Sequence, residues 1–216
     1  MKHLTLALAS LFVLSACTGT PEPKPKAKPV SLLKGAMDEW KVANFGGEGD
    51  VYFKEGKLNL DYGNPLTGLT YAGDIDALLG DTKDNYAITL TAQRVEGVDM
   101  FLGVTFPVGD EGHVSLVLGG WAGAITGLSN LDGLNASEND TTQYHNMPEG
   151  QWFDVKIRVT PEKIECWLDD KQLVDVMRDD YEIYDTHSAV VLTKPLGLFS
   201  YDTWGRVKNV KVWKLD

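Results

Sequence analysis

Residues 119–142, GGWAGAITGLSNLDGLNASENDTT, concentrate the side chains best suited to hold a sugar. Two leading glycines let the backbone pass close to a partner. Trp121 offers a flat aromatic face that complements the C–H face of a sugar ring, with core packing as the competing expectation. Asp132, Asn135, Glu138 and Asn139 supply planar donors and acceptors for vicinal hydroxyls. So long a glycine-rich, polar excursion between two strands is expected to be a functional loop. Tyr62 and Tyr71 bracket a turn-rich stretch, YGNPLTGLTY, that could flank a cleft. Arg94 stands in phase with the apolar positions of the strand before it. A charge there requires a partner, and Asp99 and Glu96 are near in sequence. A structural salt bridge is expected, with a substrate clamp as the alternative.

Other chemistries lack their patterns. The four histidines are scattered, and neither HExxH nor CxxC occurs. Asp169-Asp170 and Asp179-Asp180 read as solvated turns, without calcium-loop spacing. No Gly-x-Ser-x-Gly elbow presents a nucleophile.

The elements that would position these residues are strands. Val51–Leu60 turns at Glu55-Gly56. Tyr86, Ile88, Leu90 and Ala92 alternate with polar or small neighbours, as do Leu102, Val104, Phe106 and Val108. Val114, Leu116 and Leu118 repeat the pattern, and so do Phe153, Val155, Ile157 and Val159. Shorter strands follow at 164–168, 173–176, 196–201 and 207–215. Only 75–79 suits a helical turn. Each strand is apolar on one face, so two sheets must cover each other. The fold class is all-β: a two-sheet antiparallel β-sandwich, a jelly roll. Residues out of phase with its core would line an outer face on a curved sheet.

The 216 residues include 43% hydrophobic ones, enough for a folded core, and carry a net charge of −11. That acidity argues against nucleic acid as a partner. Met1-Lys2-His3 and an apolar run too short for a permanent membrane helix precede Leu14-Ser15-Ala16-Cys17. This resembles the bacterial lipoprotein signal, which implies cleavage after residue 16, acylation of Cys17 and a place in the cell envelope, with Thr18 pointing to the outer membrane. Residues 17–30, rich in Pro and Lys, read as a tether. Residues 31–216 form the domain. Cys166, apolar on both sides along its strand face, reads as a buried structural thiol.

Within that domain, Trp152-Phe153-Asp154-Val155-Lys156-Ile157-Arg158-Val159, then Ile164-Glu165-Cys166-Trp167-Leu168-Asp169-Asp170, then Val174-Asp175-Val176 resemble a hairpin of the 3-keto-disaccharide hydrolases, also described as 3-keto-glucoside 1,2-lyase/3-keto-2-hydroxy-glucal hydratase domains. Gly68-Leu69-Thr70-Tyr71, the strand 85–94 and the strand 99–104 are similar to the segments that approach it. The resemblance implies a concanavalin A-like (laminin-G-like) sandwich and cleavage of 3-keto-glycosides. In that chemistry a base removes the C2 proton and a donor stabilises the enolate. Asp99, Asp132 and Glu138 are the base candidates and Arg94 the oxyanion partner. A divalent metal stays open. Many members carry a Tyr-Glu-Val-Gln strand where this chain has His113-Val114-Ser115-Leu116-Val117-Leu118, so no glutamate carries across there. The alternative is a non-catalytic carbohydrate-binding lipoprotein, with Trp121, Tyr71 and Tyr201 gripping glycan and the membrane met only through the lipid. A structural or adhesive lipoprotein is the third reading.

Overall fold

The computed structural model describes residues 24–34 and 37–216. The signal segment 1–16 and Cys17 lie outside the described residues.

Among the described residues there are fifteen strands, the longer ones where apolar side chains alternate: β1 (Val30–Ser31), β2 (Trp40–Val42), β3 (Val51–Lys54), β4 (Lys57–Leu60), β5 (Leu66–Tyr71), β6 (Tyr86–Gly97), β7 (Leu102–Val108), β8 (Gly112–Gly119), β9 (Ile125–Ser129), β10 (Gln143–Tyr144), β11 (Trp152–Val159), β12 (Lys163–Leu168), β13 (Lys171–Met177), β14 (Gly197–Tyr201) and β15 (Thr203–Lys214). One antiparallel sheet runs β13-β12-β11-β6-β15-β4-β3, with β1 also on β15. The other runs β10-β9-β8-β7-β14-β5-β2. Their inner faces meet in the main core, where Ile88, Val155, Ile157 and Val207 of the first sheet face Leu102, Val104, Leu116 and Leu198 of the second. This is the two-sheet antiparallel sandwich that the alternation predicts.

Local chemistry sets the turns. Glu55 and Gly56 both have positive φ, 52° and 75°, as a two-residue hairpin between Lys54 and Lys57 requires. Asp74 caps the short helix α1 (Ile75–Leu79), its carboxylate accepting from Ala77 N at 2.9 Å. Cys166 is fully buried, and burial pushes its thiol well above the ordinary range.

Two expectations need correction. The excursion 119–142 is not all loop: residues 125–129 pair with β8 as β9. Its glycine and serine hid a strand whose inner residue, Leu128, is fully buried. The tether is also shorter than its composition suggests. Pro25 bridges Leu215, Lys26 N donates to Lys214 O, and Val30 and Ser31 pair with Val212 and Lys211. Residues 24–30 stay exposed, and the core begins at Leu32.

Candidate functional site

Residues out of phase with the core on the seven-stranded sheet face outward. Val117 on β8 and Phe199 on β14 join Met100 and Val190 in a second, smaller apolar cluster on that face. Phe199 is in register with Gly68 on one side and Gly103 on the other. A Cβ on Gly103 would run into the Phe199 ring, so the glycine makes room for the aromatic floor. Above this floor lies a cavity of about 320 Å³. Ser115, Val117, Ser129 and Phe199 form its base, and Asp99, Trp121, Asn135, His187 and Tyr201 stand around it.

One wall is the turn Ser188–Thr193, pinned to the sheet by buried hydroxyls. Thr193 Oγ1 donates to Val190 O at 2.6 Å, which leaves Thr105 Oγ1 to donate to Thr193 at 2.6 Å. Ser115 then donates to Thr105 at 2.9 Å, and Thr186 donates to Ser115 at 2.6 Å. Each hydroxyl has one proton, so the bond to the Val190 carbonyl, which can only accept, fixes the direction of the whole chain. The opposite wall is the turn after β8, where Gly119, Trp121 and Ala122 have positive φ of 68°, 49° and 60°. Trp121 is 44% exposed and Tyr201 41% exposed. Trp121 therefore leaves the core and presents its ring at the cavity.

Arg94 and Asp99 hold that wall, though not as an ion pair. Asp99 accepts from Met100 N with Oδ1 at 2.7 Å and from Ala122 N with Oδ2 at 3.0 Å, while its own N–H donates to Thr203 Oγ1 at 2.9 Å. Arg94, buried behind the wall, donates from Nη2 to the carbonyls of Asp99 (3.1 Å), Gly119 (3.4 Å) and Gly123 (3.3 Å). Its guanidinium lies 5.4 Å from the Phe101 ring centre. Burial lowers its pKa, against the pull of Glu149 and Asp99. The expected salt bridge is replaced by backbone carbonyls, because the Asp99 carboxylate is turned toward N–H groups. The geometry gives Arg94 a positioning role: it does not line the cavity.

Four of the sequence candidates therefore meet at the cavity: Asp99, Trp121, Asn135 and Tyr201. Others do not. Tyr71 is a core residue, packed edge-on against Trp40 with ring centres 5.5 Å apart. Asp132 Oδ1 accepts from Glu182 N at 2.6 Å. Glu138 Oε2 accepts from the N and Nδ2 of Asn135. Asn139 donates to three carbonyls and accepts from Thr141, which closes the loop on itself. These side chains shape the loop that carries Asn135.

Sequence reasoning passed over His187. It lies in a non-periodic connection as the N-cap of the turn Ser188–Thr193, and the docking of that turn on the sheet brings it to the cavity. Its Nδ1 accepts from Ala189 N at 3.1 Å, so the neutral ring carries its proton on Nε2 and acts there as a donor. Among the described residues, Asp99 and His187 are the only carboxylate and imidazole that line the cavity. Among the described residues no three His, Cys, Asp or Glu side chains group to hold a metal. The cavity side chains thus do not fit a metal centre built from three or more protein ligands.

Residues 30–213 match the 3-keto-alpha-glucoside-1,2-lyase-like domain. The chain belongs to this family. No curated protein matches it in sequence. Among solved structures, this lyase-like domain is similar to the carbohydrate binding module CBM66 from Bacillus subtilis, with a TM-score of 0.54 at 11% identity over 82% of this chain and 96% of that one. It is similar to a protein assigned as a glycosyl hydrolase from Parabacteroides distasonis, with a TM-score of 0.52 at 16% identity over 86% and 93%. The Crh5 transglycosylase gives 0.57 at 10% identity over 91% and 87%. At such identities the likeness is one of fold.

Proposed function

We propose that the cavity binds a glycoside and that the domain cleaves 3-keto-glycosides by elimination at the bacterial cell envelope, held there by acylated Cys17. The family match over 30–213 carries this reading. The side chains at the cavity suit the chemistry. Hydrolysis by a carboxylate pair needs two acidic groups flanking one bond, and this wall offers one. Elimination needs a base and a donor. Asp99 takes the C2 proton, whose acidity comes from the neighbouring ketone, and His187 Nε2–H donates to the ketone oxygen as it becomes enolate. The C2–H electron pair passes through the enolate into the C1–C2 double bond, the ketone re-forms, the C1–O bond breaks, and the departing alkoxide takes the proton that Asp99 abstracted, which restores the carboxylate. Trp121 and Tyr201 supply faces for the rings. Ser115 and Val117, on the strand where many relatives carry a glutamate, leave this floor uncharged.

A second reading, glycan binding without cleavage, draws support from Asp99, whose two oxygens both already accept backbone N–H groups. Incubating the chain with 3-keto-trehalose, 3-keto-sucrose and their unoxidised parents, with and without EDTA, separates the two. Sugar release from the keto forms alone, lost in Asp99→Asn, supports elimination. Binding without release supports the second reading.

A further inference from the structure

The outer face of the eight-stranded sheet, opposite the cavity, has its own chemistry. Arg206, Lys208 and Lys211 on β15 are in register with Gln93, Thr91 and Thr89 on β6, which in turn face Trp152, Asp154 and Lys156 on β11. Arg158 stands next along β11. These cations rest on aromatic rings. Lys208 Nζ lies 4.1 Å from the centre of Trp152, Lys156 Nζ 4.8 Å from Trp167, Arg158 5.0 Å from Trp167 and Arg206 4.7 Å from Trp204. Stacking restricts long flexible side chains and fixes their charges on a rigid sheet. Arg158 also pairs with Glu165 and Lys163 with Asp175, and Asp154, Asp169 and Glu96 lie among the group. The adjoining segment 24–30 adds Lys24, Lys26 and Lys28, all exposed. Basic groups thus outnumber acidic ones on this face, although the whole chain carries −11.

We propose that this face docks on a bilayer rich in anionic headgroups, with the cavity turned away from it. Three observations select a lipid surface. The charge extends over the sheet face well beyond the one concavity there, of about 330 Å³, which Lys156 and Lys211 line together with Asp154 and Asp169. Four tryptophans, Trp152, Trp167, Trp204 and Trp213, belong to the same face, the residue type that settles at headgroup depth. And the segment paired to β15 begins at Lys24, seven residues after Cys17, so an acyl chain there could lie no more than about 25 Å from this sheet.

The test uses unacylated residues 18–216, which retain every described residue. They are mixed with vesicles of phosphatidylcholine alone or with about a third phosphatidylglycerol, and partitioning is measured by sedimentation. The chain should sediment with the anionic vesicles at low salt and be released at about 0.5 M salt. Lys208→Gln with Lys211→Gln removes two charges and should weaken partitioning roughly 30-fold at an unchanged melting temperature. Lys41→Gln, on the opposite sheet, should leave it within about twofold. Equal partitioning onto neutral vesicles overturns the proposal, as does no sedimentation with anionic ones. Binding to polygalacturonate but not to vesicles also overturns it and assigns the face to an anionic polysaccharide.

Discussion

Replacing Arg94 with methionine keeps much of the side-chain volume and removes the guanidinium. Nη2 has two protons and faces three carbonyls, at 3.1, 3.3 and 3.4 Å, so it makes the equivalent of two bonds. Charge-assisted bonds contribute about 1.5–3 kcal/mol each. Removing a buried cation that lacks a carboxylate partner returns part of that, because its desolvation cost also disappears. The net loss is about 2–4 kcal/mol, or a melting temperature lower by about 5–15 °C for a domain of this size. The loss should also be local. The 98–100 and 119–123 turns lose their common anchor, so the Met100 and Ala122 amides, both bonded to Asp99, should exchange with solvent faster than core amides do. Arg94→Lys keeps the charge but reaches fewer carbonyls, and should fall between the two. Thermal denaturation and amide exchange read by mass spectrometry provide the assay. A variant that melts within a degree or so of the parent, with unchanged protection at Met100 and Ala122, would refute the positioning role.

Gly103→Ala should cost about 1–3 kcal/mol in a urea titration, because the new Cβ meets the Phe199 ring; Thr105→Ser, which keeps the hydroxyl that bonds Ser115 and Thr193, should cost less. His113 is held below its usual pKa by burial, with Lys194 adding to the effect. The unfolded chain therefore takes up a proton near pH 6.5 that the folded one refuses, and stability falls as pH drops below that point, by at most about 1.4 kcal/mol per pH unit. His113→Gln should flatten that part of the stability–pH curve. Cys166, fully buried with its thiol pushed up, should resist iodoacetamide in the native chain and react once the chain is unfolded, as measured by mass increase.

Much of the sandwich is written in two-residue alternation. Ile88, Leu90 and Ala92 share one phase and are buried together, and Phe153 to Val159 repeat that logic on β11. The phase rule also places Ser115, Val117, Phe199 and Tyr201 on the outer face where the cavity lies. It fails where a strand lacks apolar contrast, as in ITGLS at 125–129, where glycine and serine face outward next to a buried Leu128. Tyr71 reads as a surface aromatic because glycines and threonines surround it, yet register with Trp40 turns it into the core. Polarity misleads in the loop 130–142, since Asp132, Glu138 and Asn139 meet backbone groups that no local pattern reveals. His187 is reachable only through tertiary contact.

The order of the eight-stranded sheet bears on how the domain is made. β15 comes after every other strand in the chain, yet it lies in mid-sheet, between β6 and β4. Until residue 214 has left the ribosome, the sheet exists only as two pieces, each with an open edge where β15 will lie. Non-local closure of this kind is slow. The growing chain must therefore stay unfolded, or be shielded by a chaperone at those edges, through nearly all of its synthesis. The strand order also makes Thr203–Lys214 the segment whose truncation leaves neither half able to close.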